Sequence, residues 1–413
     1  MLASETLDLY EQGKEAWNRW AKDVLTEKTE IERRFGQSIE DIDTDANYDV
    51  RVFQEAVSAD FSFIGFPDRL RLNSFIFPGR VYLSDSHFRR GIYLDDAEFH
   101  QSVIFDNSIF EGFELSLSNV ACHGKVFHFQ NTVVKTYGRV SFANLTVDSE
   151  QCSFAGSTFS ETRVSFTGTT FKCKRIYFNT SNYGKCSFTG GPALFDHSQL
   201  YGPADFTGCE FHEGANFRQT TFHKGIAIFS GCLFGGKDLH FDGAQFKFGA
   251  KFSNSKFECE SCTWSYAEFD HKLTDFTAVS FRCYLASFEK VKFYSTRTSF
   301  SEVSATGRLT FEGAFFSKHA EFMSLNVTGV CIFKGVVFYD VPDFSQATFV
   351  QAPHIDMLTV PDNHEKTFSW KNRTSEKTKA QFLDYSRRWR ALKRIASHAH
   401  DHYQENIFFA REM

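Results

Sequence analysis

The large apolar residues of this chain, most of them phenylalanine, follow a spacing that few folds can accommodate. Phe contributes 51 of the 413 residues, and between residues 94 and 349, outside an irregular stretch around residues 111–153, the steps from one large residue to the next are mostly five, then six or seven, then five again. An α-helix repeats about every 3.6 residues and a flat strand about every 2, so neither element explains the rhythm. One unbroken part of the series is Phe154, Phe159, Phe166, Phe171 and Phe178.

A small residue lies two positions before most of the large ones, as Ala204 precedes Phe206 and Ala215 precedes Phe217. Residues two apart on an extended segment point to the same side, so each short segment sends one large and one small side chain inward. Gly or another turn former recurs two positions after the first Phe of a pair, as at Gly156, where a corner needs positive φ. We therefore predict a mainly β chain that coils with four faces, at roughly 23 residues per coil and about 4.8 Å between coils.

These segments resemble the pentapeptide-repeat family, whose motif has a central Leu or Phe, a small residue two positions before it, and Asn or Asp between them. Ala204-Asp205-Phe206, Ala215-Asn216-Phe217 and Ala97-Glu98-Phe99 carry the motif. The resemblance implies a right-handed quadrilateral β-helix. The chain is a Phe-rich variant, and its alternating long step predicts bulged corners on alternate faces.

The periodicity divides the chain into segments. We predict an N-terminal helical cap with an acidic connection, a β-helix that is irregular in one stretch, a linker, and a C-terminal amphipathic helix. These are residues 1–50, residues 51–352 with the irregular stretch around 111–153, residues 353–374 and residues 375–413.

The N-terminal cap is predicted from apolar residues at three-to-four spacing, among them Trp17, Trp20 and Val24. Members of the family often begin with a similar segment, present here as Gln12-Gly13 and Ala16-Trp17-Asn18. A solenoid has to cover its terminal hydrophobic coils, so a capping role is the expectation.

The C-terminal helix is predicted from an apolar stripe that steps by three and four. The stripe consists of Phe382, Tyr385, Trp389, Leu392, Ala396, Ala399 and Tyr403. It favours either a helix docked on the β-helix or a homodimeric coiled coil, with Trp389 and Leu392 as the main contacts. The adjoining basic residues would suit an anionic membrane surface or an acidic partner, although a solvated helix face is the favoured interpretation. They are Arg387, Arg388, Arg390, Lys393 and Arg394.

The final segment, Asn406 to Met413, resembles one that precedes transmembrane helices in membrane-linked members of the family. That resemblance implies a place at the inner face of the cytoplasmic membrane. Within the sequence no apolar run approaches the roughly 18 to 20 residues that cross a bilayer, and no secretory signal is evident, so the expected compartment is the cytoplasm.

Few residues point to chemistry. Cys259 and Cys262 form a CxxC pair, but both fall at fixed repeat positions, which favours packing over a redox or zinc site. His398 and His402 share a helix face without an evident third ligand. No nucleophile, metalloprotease or phosphate-binding motif occurs in a suitable context. We therefore expect no catalytic residue, no cofactor and no metal, and a protein that is not an enzyme.

The net charge is −7 over residues 1–87, −2 over residues 88–349 and +3 over residues 350–413. A non-catalytic scaffold or protein-interaction module is the first expectation, as the cytosolic part of a membrane-linked sensory or defence assembly. The alternative is a DNA mimic that binds a topoisomerase, as some members of the family do. Mimicry requires dense negative charge, which the nearly neutral middle does not provide, and direct nucleic-acid binding is not expected either.

Overall fold

The computed structural model of the protein describes residues 3–360 and 376–412. The chain forms two compact units, residues 1–213 and residues 214–413. Each unit contains parallel β-solenoid coils, and the two together contain about 12 turns. Helices lie at the N-terminus of the first unit and at the C-terminus of the second. The predicted fold class, a β-solenoid with helical terminal segments, is confirmed.

The first unit opens with helices. They are α1 (Ala3–Glu11), α2 (Lys14–Phe35), a short 3-10 helix (Ile39–Asp41) and α3 (Tyr48–Val57). Gly13 separates α1 from α2 with φ 90°, and Gly36 ends α2 with φ 67°, a conformation that costs glycine little because it has no Cβ. Trp17 and Val24 of the predicted apolar face are buried, whereas Trp20 is half-buried.

The strands of the first unit lie on four faces, numbered here in chain order. Face 1 has Ala59–Asp60, Val81–Tyr82, Val103–Ile104, Val126–His128, Gln151–Ser153, Arg175–Tyr177 and Ala204–Asp205. Face 2 has Gly65–Phe66, His87–Phe88, Thr158–Ser160, Ser187–Phe188 and Glu210–Phe211. Face 3 has Leu70–Arg71, Ile92–Tyr93, Val164–Ser165 and Ala193–Leu194. Two longer strands, Ile109–Ser116 and Val133–Ser141, run over faces 2 and 3. Face 4 has Ile76–Phe77, Glu98–Phe99, Ala121–Cys122, Thr146–Val147, Thr170–Phe171 and Gln199–Leu200.

The second unit repeats the same arrangement. Face 1 has Ala227–Ile228, Ala250–Lys251, Leu273–Asp275, Arg297–Ser299 and His319–Glu321. Face 2 has Leu233–Phe234, Lys256–Phe257, Ser280–Phe281, Ser304–Ala305, Asn326–Val327 and Thr348–Phe349. Face 3 has Ala215–Asn216, Asp238–His240, Ser261–Thr263, Leu285–Ser287, Arg308–Thr310 and Cys331–Ile332. Face 4 has Thr221–Phe222, Gln245–Phe246, Glu268–Phe269, Lys292–Phe293, Phe315–Phe316 and Val337–Phe338.

Strands on one face pair in parallel with those of the next coil, as Ala59 pairs with Val81 in the first unit and Lys256 with Ser280 in the second. The predicted inward rings then stack. Phe154 and Phe178 lie 4.8 Å apart at 5°, and Phe217 and Phe241 lie 4.8 Å apart at 3°. Each fully buried ring contributes about 2 to 3 kcal/mol of hydrophobic stabilisation, so these ladders are the main source of stability.

The corners between faces 3 and 4 have a constant length. The inward residues on either side of this corner are five positions apart, as Phe166 and Phe171 are, and Gly168 between them has φ 69°. The corners between faces 2 and 3 vary, from four positions between Phe66 and Leu70 to six between Val134 and Val140. The corners between faces 4 and 1 also vary, from four positions between Phe77 and Val81 to five between Phe171 and Ile176, and the two variable corners together produce the alternating long step of the sequence.

The stretch around residues 111–153, predicted as irregular, contains two longer strands and a register shift between Gly112 and Glu114, and the coils continue through it. Phe127, Phe129 and Phe142 are buried there, and Leu115 and Val140 take inward positions on face 3. Aliphatic residues and extended corners replace the regular Phe spacing, which is why the pattern is hidden in the sequence. The β-helix was predicted to begin at residue 51. Its first strand is Ala59–Asp60, because α3 occupies the preceding residues.

The second unit ends in two helices, α4 (Glu376–His398) and α5 (His402–Glu412), where the sequence predicted one. His400 adopts φ 56° and the Asp401 carboxylate accepts from the Gln404 backbone N–H at 3.0 Å, so Asp401 caps α5. Before α4, isolated bridges from Ile332 to His354 and from Val337 to Thr359 extend the solenoid into the predicted linker. The rest of that linker lies outside the described residues.

Candidate interaction surfaces

Trp389 and Leu392, predicted as the main contacts of the C-terminal helix, are both buried in the second unit. The Trp389 ring packs against Phe408 of α5, with ring centroids 5.8 Å apart. The Arg411 guanidinium lies 5.4 Å from the centroid of the Trp389 ring, at cation–π distance. This part of the apolar stripe is therefore covered within the unit, whereas Tyr403, beyond the break between the helices, is exposed.

The first two residues of the predicted basic group face the coils of the second unit. Arg387 donates to the Asp343 carboxylate at 2.8 Å and to the Asp384 carboxylate at 2.7 Å. Arg388 forms an ion pair of 2.5 Å with Asp384 and donates to the Val341 carbonyl oxygen at 3.2 Å. These contacts dock α4 on the solenoid.

The other basic residues lie farther along α4. Arg390 and Lys393 donate to the two carboxylate oxygens of Glu412, at 2.8 and 3.1 Å. Arg394 is exposed and has no ion pair among the residues that the structure describes. Four of the five predicted cations are therefore engaged inside the unit.

A partly buried charge network lies beneath α4. His319 is 3.2 Å from the Glu321 carboxylate, and Arg297 donates to both oxygens of Glu321 at 2.9 and 2.8 Å. Hydrogen bonds with Asp340 and Glu321 raise the pKa of His319 to about 9, against burial and the Arg388 guanidinium. Burial raises the pKa of Glu321, but His319 and Arg297 outweigh it and lower that pKa to about 2. The network therefore holds its charges at neutral pH.

The N-terminal helices contact the first coils of their own unit differently. The Trp17 indole N–H donates to the Ile76 carbonyl oxygen at 2.8 Å, and the ring is fully buried. The Asn18 amide donates to the Ser74 carbonyl oxygen at 2.9 Å and accepts from the Ile76 N–H at 3.0 Å. Asn18 therefore takes the hydrogen bonds that another coil would supply at this edge.

A bulged corner distinguishes the first unit. The pairing of strands Ile109–Ser116 and Val133–Ser141 shifts register between Gly112 and Glu114, so that Phe113 points out of the ladder. Phe113 is 50% exposed and Tyr137 is 71% exposed, and their rings meet edge to face with centroids 6.2 Å apart. A Cβ at Gly138 would collide with the Phe113 carbonyl oxygen, so glycine allows the two strands to approach here. Bulges of this kind re-aim side chains and are over-represented at functional sites.

Three arginines surround this aromatic pair. Arg69, Arg71 and Arg90 line a cavity of about 510 Å³ together with Asp68, Phe113 and Tyr137. Arg69 lies 5.9 Å from the Phe113 ring centroid, and Arg90 donates to the exposed Asp68 carboxylate at 3.2 Å. The Arg71 side chain is exposed and has no ion pair within residues 3–360 and 376–412. We name Arg69, Arg71, Arg90, Phe113 and Tyr137 the arginine-aromatic corner.

A second cavity adjoins this corner. It has a volume of about 680 Å³ and shares Arg69 and Arg71 with the first, while α1 and α2 contribute Tyr10 and Lys14. The two cavities together form a groove in which the basic side chains outnumber the acidic ones.

The CxxC pair Cys259 and Cys262 is joined in the second unit by a third thiol, Cys283. All three residues are buried and all are free thiols. The sulfur atoms of Cys262 and Cys283 are 3.5 Å apart. The sequence predicted that the pair has a packing role. It did not predict the contact with Cys283, which lies 21 residues from Cys262 along the chain.

The family model described as Pentapeptide repeats (9 copies) matches residues 195–237, where the inward large residues recur at steps of five to seven. The chain therefore contains pentapeptide repeats, within a β-solenoid of about 12 turns. No curated protein and no solved structure matches it significantly.

Pentapeptide-repeat proteins are generally non-catalytic structural proteins. In the described part of this chain, no three His, Cys, Asp or Glu side chains are arranged to hold a metal ion. None of its described helices is both long enough and apolar enough to cross a bilayer.

Sequence reasoning missed the arginine-aromatic corner of this protein. The signal was the loss of the five-residue step after Phe110, together with glycines at 112 and 138 beside outward aromatics. The partners of the basic residues were also missed. Asp343 lies 44 positions from Arg387, and no local pattern connects such residues.

Proposed function

We propose that this protein is a non-catalytic interaction module that binds an acidic segment of a protein partner at the arginine-aromatic corner. The observation that carries the proposal is the bulge that turns Phe113 outward beside Arg69 and Arg71. The groove there combines cations with exposed rings at a corner where the strand register shifts.

The chemistry of the groove supports an acidic partner. Arg71 is an exposed cation without an ion pair in the described chain, and Arg90 has only a solvent-exposed partner in Asp68. Exposed ion pairs contribute little, so a carboxylate of a partner can compete for the guanidinium. Arginine and aromatic residues are the types that dominate the binding energy of protein interfaces.

The C-terminal helices support this role less well. The predicted contacts Trp389 and Leu392 are covered, and Arg394 alone of the basic group has no ion pair in the described chain. Binding of these helices to a membrane surface, or homodimer formation through them, would require charges and apolar area that already make contacts within the second unit.

The charges on the outer surface do not favour DNA mimicry. Acidic residues face basic ones of the adjacent coil, as Glu150 faces Lys174 in the first unit and Glu268 faces Lys292 in the second. A duplex presents one negative charge per about 1.7 Å of axis, which alternating signs cannot imitate.

The proposed compartment is the cytoplasm. All ten cysteines are free thiols although several lie close together, which suits a reducing environment.

Fluorescence anisotropy with a labelled peptide of alternating glutamate and tyrosine tests the proposed site. We expect saturable binding that weakens as salt is added, and a loss of at least about tenfold in affinity for Arg71→Glu. The hydrogen bond between Arg71 and the Tyr10 hydroxyl is donated by the backbone N–H of Arg71 and does not involve its side chain. The substitution should therefore leave the fold intact.

Arg282→Glu is the matched control. Arg282 is an exposed arginine at the corresponding corner of a coil in the second unit, where its partner is Glu258 at 3.5 Å. Equal losses for both variants would indicate attraction by overall charge and would contradict a site at the bulge.

A further inference from the structure

Three thiols of the second unit meet at one corner between faces 2 and 3. Cys259 and Cys283 follow Phe257 and Phe281 by two positions, and these two Phe residues pair in adjacent coils. Cys262 lies on face 3, with its sulfur 3.5 Å from that of Cys283. Two of the thiols therefore stand at the corner, and the third lies immediately inside.

An analogous pair at a corner between faces 4 and 1 carries hydroxyl groups. Thr274 and Ser295 are also separated by 21 residues, and their hydroxyl oxygens are 2.8 Å apart in the interior. A hydroxyl group therefore fits the analogous place at another corner, where cysteine is not required for packing. The thiols add reactivity that the analogous Thr and Ser do not have.

The two corner thiols lie just below the surface of the second unit. Cys259 and Cys283 are 3% and 4% exposed, and the adjacent Tyr284 is 79% exposed. Arg282 and Glu258, also at this corner, are partly exposed. Cys331, in contrast, is 0% exposed on its strand.

We propose that Cys262 and Cys283 form an oxidisable dithiol that reacts with peroxides and closes to a disulfide. The Cys283 thiolate attacks one oxygen of hydrogen peroxide, the O–O bond breaks, and the hydroxide released takes up a proton to become water. The Cys262 sulfur then attacks the Cys283 sulfenic acid, the S–S bond forms, and the oxygen leaves as a second water molecule with the Cys262 proton. Two thiols thereby supply the two electrons that reduce the peroxide.

The electrostatics of the cluster agree with this order. Hydrogen bonds from Cys259 and Cys262 lower the pKa of Cys283 to about 4. Burial raises the pKa of Cys262 well above its usual value, so this residue stays a thiol until it resolves the intermediate. The two sulfurs have to approach from 3.5 Å to about 2.05 Å, a small movement for two side chains.

The test uses the full chain, hydrogen peroxide as the oxidant, and non-reducing peptide mapping after the remaining thiols are alkylated in denaturant. We expect two of the ten thiols to be lost and a cross-linked peptide that joins Cys262 to Cys283. Cys283→Ser should abolish the cross-link and retain the native circular dichroism spectrum, since Ser295 occupies the analogous position at another corner.

Cys331→Ser is the control and should leave the cross-link unchanged. Cys152 and Cys173, which have the same 21-residue separation in the first unit, should react at least about tenfold more slowly, because the adjacent coil places Ser149 rather than a second thiol at the corner beside Cys173. Oxidation spread evenly over the cysteines would overturn the proposal, as would a cross-link that persists in Cys283→Ser. A disulfide from Cys259 to Cys283 would overturn the assignment of Cys262 as the resolving thiol.

Discussion

The helices at the start of the first unit and those at the end of the second contact their solenoid coils through different chemistry. At the first, Trp17 and Asn18 use a buried ring and neutral hydrogen bonds to the backbone of residues 74–76. At the second, Arg387 and Arg388 use ion pairs and a network around His319. Both cover strand edges, whose unpaired N–H and C=O groups otherwise promote association.

The difference lies in how each contact responds to solution conditions. Hydrogen bonds between neutral groups and a buried indole change little with pH or salt. Ion pairs weaken with salt, and their contribution vanishes when one partner loses its charge. The N-terminal contact should therefore be constant, whereas the C-terminal contact should depend on conditions.

Removing the C-terminal helices should have the largest effect. Deletion of residues 376–413 would expose the carbonyl groups of Leu358 and Val360, which now accept hydrogen bonds from Gln404 and Arg411. We expect the truncated chain to associate, as measured by size-exclusion chromatography with light scattering. Arg394→Ala, a change at an exposed residue, should leave the oligomeric state unchanged. A truncated protein with unaltered mass and melting temperature would mean that the helices do not cap.

Trp17→Ala should have the next largest effect. The indole is fully buried and lies 5.3 Å from the Phe77 ring, so its loss should destabilise the first unit by about 3 to 5 kcal/mol. Hydrogen exchange at residues 74–76 measures the change, which should be the same at low and high salt. The half-buried Trp20 provides the comparison, since Trp20→Ala should cost less. A strong salt dependence of the Trp17 effect would contradict a neutral contact.

The pH dependence should separate the two contacts further. The folded pKa of His319 is about 9, against 6.5 without the network. Because the folded value is raised, its contribution is complete below pH 6.5 and is lost as the pH rises through 9. We expect α4 to lose protection by on the order of 1 to 2 kcal/mol over this range in hydrogen exchange, with residues 74–76 unaffected. His319→Gln should abolish the loss, and a loss that persists in that variant would assign it to another group.

The smallest effect is expected at the solvent-exposed pair between the two C-terminal helices. Arg390 is 62% exposed, so Arg390→Gln should change the stability of the second unit by less than about 1 kcal/mol, and added salt should remove even that difference. Urea unfolding at low and high salt measures it. A larger, salt-independent loss would show that Arg390 stabilises by packing rather than by charge.

The solenoid could be predicted from the sequence because its inward residues are local. Ala215 and Phe217 share one short segment, and both are buried as the pattern requires. The coils around Phe127 and Phe142 were not recognised from the sequence because Leu and Val replace several Phe residues there. These apolar side chains are buried as readily as Phe, so the coils form although the Phe spacing is lost.

The surfaces were less predictable, since the contacts that define them are distant along the chain. Trp389 and Leu392 of the apolar stripe are buried, but nothing nearby in the sequence indicated Asp343 as a partner of Arg387. The break between α4 and α5 was visible in principle, because Asp401 is a favourable helix N-cap. The strict three-to-four stripe obscured that signal.

The constant and variable corners have a consequence for protein engineering. A corner between faces 2 and 3 already takes four positions in one coil and six in another, without changing which residues point inward on the following strand. Foreign segments could therefore be grafted at such corners, for example between Phe88 and Ile92, while the ladders remain in register. The corner between faces 3 and 4 keeps one length in the described coils, so an insertion there would meet a turn with a fixed geometry. The corner between faces 2 and 3 is thus a position at which the solenoid can be enlarged.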